Sequence, residues 1–507
     1  MARKTIRIVL GVFVMLAMVV MVQSPAVAGK KDNSLNIAWE KELETLDFYF
    51  QSAREGTILS RHIYDSLTYR DPDTMEYKPL LAKTCNWVDN VTIEAELRQG
   101  ITFHNGETFD ADDVVYTLNY VSDPNTKVEM PRNVNWIKHV DKLGPYKVRI
   151  HLHNPFPAAF EYLSGQTPIY PKDYYSKVGS KVFGVKPIGT GPYKVVKIMP
   201  GKAIEMVKNE DYFAASPKGQ PSIDTIRQRT IPEVTTKVAE LMTGGLDWIW
   251  RVPKDQAEKL AGRPELKVDF AETMRVGFLY FNNVADSPFK NIKVRQAIAY
   301  AIDRQSIVDN LIGGSSRVVH SVFYPTQFGC TDEGVVKYDY DPEKAKRLLA
   351  EAGYPNGFEF GFYAYRERPY AEAAIGYLHA IGLKPKLVYM KYAAMRERWQ
   401  GNKIPLAFWT WGSFSVNDIS AITGHWFKFS EDDRARDPEL RDWLETGDTS
   451  IDPAVRKAAY RKALRRISEE CYALPMFTWV ANTAYSKDLD YMAYPDEVPR
   501  YFLAKWK

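Results

Sequence analysis

Strand-like and helix-like periods alternate along this chain, and the clearest change of period lies in residues 97–118. Val91, Ile93, Ala95 and Leu97 repeat every second residue, as a half-buried strand requires, and Gly100, Asn105 and Gly106 supply turn chemistry. Asp110 stands at an N-cap position, with Asp112 and Asp113 in the first turn and Val114, Val115, Tyr116 and Leu118 behind them. The stretch is therefore predicted as strand, tight turn and helix. Residues 35–39 read as an earlier strand, and 55–66 as a helix with Ile58, Leu59 and Ile63 on its apolar stripe. Alternation returns over 146–152, Pro155 and Pro157 break it, and a short helix is expected over 160–163.

Further on, PIGTGPY at 187–193 places two glycines and two prolines in seven residues, a sharply shaped loop from which a strand resumes at Tyr193. A helix over 235–242 is stopped by Gly244 and Gly245, and a strand begins at Leu246-Asp247-Trp248. Residues 278–283 read as a buried strand, and 294–310 as a long amphipathic helix or a helix pair. Tyr340-Asp341-Pro342-Glu343 orders an N-cap, a first-turn proline and a first-turn acid, and Gly353 ends that helix. Strands over 358–363, 384–390, 406–411 and 474–480 then alternate with helices over 371–381 and 453–471. Such alternation predicts an α/β architecture.

The first 28 residues stand apart from this pattern. Arg3, Lys4 and Arg7 precede an apolar run over 8–22, and Ala26-Val27-Ala28 is a small-x-small site, so 1–28 is read as a cleaved secretory leader. No cysteine follows the apolar run, so a lipid-attached form has no acceptor and the mature protein is expected in a periplasm. Losing the leader takes the formal net charge from +4 to +1, which offers nothing to nucleic acid or an anionic membrane. Of 507 residues, 479 remain after removing 28, too many for one core, and two or three lobes are expected. Cys85, Cys330 and Cys471 are few and far apart; one disulfide is permitted, but three buried small apolar side chains is the preferred reading.

Catalytic patterns are missing. The eight histidines form no H-E-x-x-H, and His151 with His153 would share one strand face without an evident third ligand. Gly412-Ser413 lacks the following glycine of a nucleophile elbow. The loop at 187–193 lacks the lysine and spacing of a phosphate cradle. No enzyme, metal or cofactor is therefore expected.

Four motifs, in order, resemble those of the family 5 extracellular solute-binding proteins, the dipeptide and oligopeptide receptors of ABC importers. They are LRQGITFHNGETFDADDVVYTL at 97–118, PIGTGPY at 187–193, the helix with its Gly-x-x-Asp turn before Trp248, and VRQAIAYAIDR at 294–304. The stretch at 62–88 is similar to the family's linking segment. The resemblance implies a two-lobed periplasmic-binding-protein fold (type II, cluster C) with a small inserted domain. Lobe I would comprise 29–65, 187–275 and 488–507, the inserted domain 66–186, and lobe II 276–487. It also implies a receptor, expected to be a monomer, that captures a small solute between its lobes and passes it to permease subunits in the inner membrane.

The site residues follow the same resemblance. The family's R-P-Y element, which supplies a carboxylate-binding arginine, falls on Arg368 with Tyr370 beside it, and a guanidinium fork suits a carboxylate. Trp409 and Trp411 end a strand where the family has its aromatic pocket wall. Peptide receptors hold the ligand's α-ammonium with an aspartate three residues beyond that tryptophan; here Phe414 occupies the position, and the next acid is Asp418. Either Asp418 takes over, or the ligand has no such ammonium. A di- or oligopeptide is one reading of the solute, and an opine, a glycoside or a metal chelate another; a secreted hydrolase is the alternative of a different class.

Overall fold

A computed structural model describes residues 29–507, and the leader assigned to 1–28 lies outside them. Its dominant feature is a ten-stranded mixed sheet built in two halves. In the first half, Ser34–Trp39 runs parallel to Thr225–Thr230 and Trp248–Trp250, with Ala203–Lys208 and Tyr193–Met199 added antiparallel at the edge. Every residue of Ser34–Trp39 is buried, the pattern of a central strand covered on both faces. In the second half, Glu359–Ala364 runs parallel to both Lys384–Tyr389 and Leu406–Gly412.

Two long antiparallel strands, Leu266–Phe281 and Ala473–Ser486, join the halves. They pair with each other along their length, and the outer edge of each meets one half-sheet at one end only. Tyr485 and Thr483 pair with Trp248 and Trp250 of the first half, whereas Arg275 to Phe281 pair with Leu406–Gly412 of the second. Between these two outer pairings lies a bulge, where Thr273, Met274 and Arg275 together face the single residue Trp479. A bulge bends and twists a ladder locally, so it marks the crossing between the halves. Only the end of Leu266–Phe281 was legible as a buried strand, because its first half is partly exposed and carries no apolar run.

A separate four-stranded antiparallel sheet is formed by Ala82–Asp89, Thr92–Leu97, Lys147–Leu152 and Ile137–Gly144. Val114 and Leu118 of helix Ala111–Ser122 pack with Ile93, Ala95, Val148 and Ile150 on its inner face. Asp110 caps that helix as expected: its Oδ1 accepts from the Asp112 amide at 2.7 Å, and Asp113 Oδ2 accepts from the Asp110 amide at 2.9 Å. The turn ahead of it docks on the glycine-rich loop. His104 pairs through its backbone amide with Gly189 O at 2.8 Å and through Nε2 with Gly191 O at 2.9 Å. Glycine is required there by close approach, since a Cβ on Gly189 would lie 2.0 Å from Ile63 O. The two most recognisable motifs are thus one packed unit.

Two stretches, 170–183 and 481–486, pack outside the lobe expected for them. Tyr170, Tyr175 and Phe183 bury beside Leu35, Tyr64 and Trp248, in the first-half core rather than with the small sheet. Tyr491, Val498, Tyr501 and Phe502 join the same core. Residues 481–486 already pair with the first half, so the second crossing precedes Lys487. The stretch at 294–310 is a helix pair, Ile292–Ala301 and Arg304–Ile307, with Asp303 capping the second through the Ser306 amide at 2.9 Å. All three cysteines are free thiols; Cys471 is fully buried and the others partly, and burial pushes each thiol up to about 12.

Candidate functional site

The crossing encloses a cavity of about 440 Å³. Parallel strands present ligands beyond their carboxyl ends, and both halves aim such ends here. Arg251 follows Trp248–Trp250 directly, Lys254 opens the helix Lys254–Ala261, and Arg366 lies just beyond Glu359–Ala364. The bulge supplies Thr273 and Arg275, the facing strand Trp479, and the C-terminal segment Glu497. Three lining residues, Arg251, Glu367 and Glu497, have left-handed backbones, with φ of +54°, +38° and +55°. Non-glycine residues adopt that region at a cost of about 1–3 kcal/mol each, and the strain is kept where surrounding structure holds a group in place.

Arginines dominate the electrostatics. Glu497 Oε1 lies 3.5 Å from Arg251 Nη2, and its Oε2 3.7 Å from Arg54 Nη2. Burial alone would raise the Glu497 carboxyl, but Arg54, Arg275 and Arg251 outweigh it and hold the group below its ordinary value. Burial depresses the Arg275 guanidinium, with Glu497 opposing the shift and Arg366 adding to it. Arg275 Nη1 donates to Thr410 Oγ1 at 3.2 Å, which ties it to the second half.

The residues singled out from the sequence fall into three groups. Tyr370 lines the cavity and stands edge-on to Trp479, ring centres 5.2 Å apart. Trp411 and Phe414 meet edge-on at 5.6 Å where the second half touches the region of the small sheet; Trp411 stacks on His425, and Arg132 sits 3.8 Å above the Phe414 ring. Arg368, Trp409 and Asp418 are elsewhere. Arg368 is 63% exposed, opens the helix Arg368–Ala380 and pairs with Glu372 at 2.7 Å. Trp409 is 1% exposed, packed among Trp399, Trp426 and Tyr365 in the core; it shares a strand face with Trp411, and that face is fully covered at Trp409 but only partly at Trp411. Asp418 is buried with both oxygens on Arg456 Nη2, at 2.8 and 2.9 Å, and Oδ1 also accepts from the Ser420 amide. Its capacity is used inside the protein.

Arg251, Lys254, Arg275 and Glu497 carry no sequence signal that groups them, since they come from separate segments. Arg366 was within reach, two residues before the matched arginine. The expected strand-face neighbour of His151 is also replaced: its Nε2 lies 3.1 Å from Asp141 Oδ2, and its ring stacks on His139 across the ladder at 4.3 Å. That exposed group lies on the small sheet, away from the cavity.

The contact between the second half and the rest of the molecule runs through 413–418. Ser415 Oγ bonds Arg54 and donates to Asp496 O at 2.7 Å, Arg70 Nη2 donates to Ser415 O at 3.0 Å, and the Asn417 amide donates to Glu161 Oε1 at 2.9 Å. Val416 buries in the core of the small sheet. Two bodies joined by a bulged strand pair and latched by polar contacts have the parts of a hinge-closing receptor.

Comparison with known proteins agrees. Residues 76–432 match the family described as bacterial extracellular solute-binding proteins, family 5 Middle. Heme-binding protein A of Haemophilus influenzae is 30% identical over 392 residues, 70% of each chain. The glutathione-binding protein GsiB of Salmonella paratyphi A is 26% identical over 486 residues, 92% of each. Among solved structures, HbpA2 from Haemophilus parasuis superposes with a TM-score of 0.83 at 22% identity, covering 94% of this chain and all of that one. With the family matched over most of its length, this chain belongs to the bacterial extracellular solute-binding proteins of family 5.

Proposed function

We propose that this protein is the capture component of an ATP-driven importer: it binds a small solute at the crossing, closes its lobes over it, and delivers the closed complex to separate permease subunits. The observation that supports this reading is the cavity itself, which takes residues from both half-sheets and from the bulge between them. A solute held by both halves favours the closed arrangement by its differential affinity for that state, and closed lobes are a shape a permease can recognise. The lobes would divide at Thr273 to Arg275 on the first crossing and near Trp479 on the second, with the C-terminal segment returning to lobe I. The ligand-facing residues would be Arg366 in place of Arg368, with Tyr370, Arg275 and Arg251, and with Trp411 and Phe414 at the lobe contact. The relatives carry names for heme and for glutathione binding, so the solute class must be read from this cavity. The mature protein would be periplasmic, cleaved after Ala28, monomeric, without lipid and without catalytic activity.

The test uses the protein as purified. Unfolding it in guanidinium, dialysing and refolding should lower its melting temperature by removing retained solute, and the dialysed small-molecule fraction should restore it. Mass spectrometry of that fraction identifies the solute. Identical melting curves before and after, with nothing released, would count against a receptor.

A further inference from the structure

We propose, resting on the cleft as the receptor's solute site, that the solute is a compact polyanion with at least two carboxylates and no ammonium group to be held. Around the cavity Arg251, Lys254, Arg275 and Arg366 stand against only two carboxylates, Glu367 and Glu497. The charge of Glu497 is already divided between Arg251 and Arg54 at 3.5 and 3.7 Å. Lys254 Nζ donates to Leu311 O at 3.1 Å and lies 3.8 Å from the exposed carboxylate of Glu258, one turn along its helix, a solvent-screened pair that offsets little of its charge toward the cavity. Arg366 makes no ion pair among the described residues; its guanidinium carbon lies 5.9 Å from the Tyr365 ring centre. Glu367, the other carboxylate, is exposed on the turn beside Arg366.

These cations come from different bodies. Arg251 and Lys254 belong to the first half-sheet and its helix, Arg275 to the bulge, and Arg366 to the second half. Closing the hinge therefore brings like charges together in a site of lowered dielectric, where repulsion resists closure. A multivalent anion placed between them reverses that sign, so its affinity is greatest for the closed state, as a closure-triggering ligand requires. Guanidinium forks bind carboxylates through paired, charge-assisted hydrogen bonds, which favours carboxylates over a diffuse anion. A zwitterionic peptide meets the opposite situation. Asp418 is committed to Arg456, Phe414 offers no charge, and Glu497 is surrounded by arginines, so none of these three positions offers a free acid to an ammonium.

Calorimetry and thermal shift on the refolded protein, at ionic strength matched with sodium chloride, test this with succinate, citrate and N-acetyl-Glu-Glu against tri-alanine and glucose. At least one polyanion should raise the melting temperature and bind tenfold or more tightly than tri-alanine, with affinity falling as salt rises. Arg366→Gln, an exposed position, should weaken that binding at least tenfold with the unliganded melting temperature unchanged; Arg275→Gln should do the same if it folds. Tighter binding of tri-alanine, no binding by any of the three polyanions, or unchanged affinity in Arg366→Gln would overturn the inference. The receptor reading would survive those results if refolding releases another solute, and would fail separately if nothing is released.

Discussion

Arg366 and Arg368 are two residues apart and have different surroundings, because the left-handed turn at Glu367 sends one toward the cavity and starts a helix with the other. Arg368→Ala removes an exposed i,i+4 pair, worth roughly 0.3–0.5 kcal/mol. Urea unfolding should barely move, and solute affinity by calorimetry should be unchanged. Asp418→Ala is the contrasting case: it leaves Arg456 buried without its partner and should cost about 3–5 kcal/mol in the same urea assay. His62 makes stability depend on pH. Its Nδ1 lies 2.8 Å from Ile58 O and its Nε2 accepts from the Tyr501 amide at 3.0 Å, so the neutral ring joins helix Arg54–Ile63 to the C-terminal segment. Burial pushes its pKa from 6.5 down to about 3. Between those values the unfolded chain binds the extra proton, so this contribution is intact above about pH 6.5 and declines on acidification, by about 2 kcal/mol at pH 5. Urea midpoints at pH 7 and 5 should differ accordingly, and His62→Gln should lose that share of the difference.

At the scale of elements, caps and breakers were legible because they act within a few residues. Asp110 and Asp341 each cap a helix through a main-chain amide, as their sequence context predicts, and Asp303, not marked in the sequence, does the same; Asp110→Ala should cost about 1 kcal/mol in urea unfolding without altering solute affinity. Burial raises the neighbouring Asp113 carboxyl to about 6, and its bonds to the Asp110 and Lys172 amides show it to be a structural acid. What stayed hidden at this scale is what a neighbouring element supplies. The crossing strand Leu266–Phe281 has a half-exposed start, so only its apolar end at 278–281 carried a strand signal. Trp409 and Trp411 share one face of the strand end, yet one is core and the other sits at the lobe contact, a matter of how far along that face the neighbouring elements cover it.

For the whole molecule, the latch at 413–418 is where closure can be weighed. Ser415→Ala removes a hydroxyl held between Arg54 and Asp496 O, so it should lower the closed fraction and weaken solute binding several-fold, while each lobe keeps its stability. Small-angle scattering with and without solute reads the closed fraction directly. Taken alone, the sequence determined the α/β class, most helix starts, the four ordered motifs and, through them, the family, because local periodicity and capping depend on residues close in the chain. Tertiary structure alone decided which side chains share the cleft. Arg251, Arg275, Arg366 and Glu497 meet because two strands cross between half-sheets at a bulge, and Asp418 is withdrawn because Arg456, 38 residues away, occupies both its oxygens. Charge in a buried site is set by proximity in space, which no local pattern of residues records.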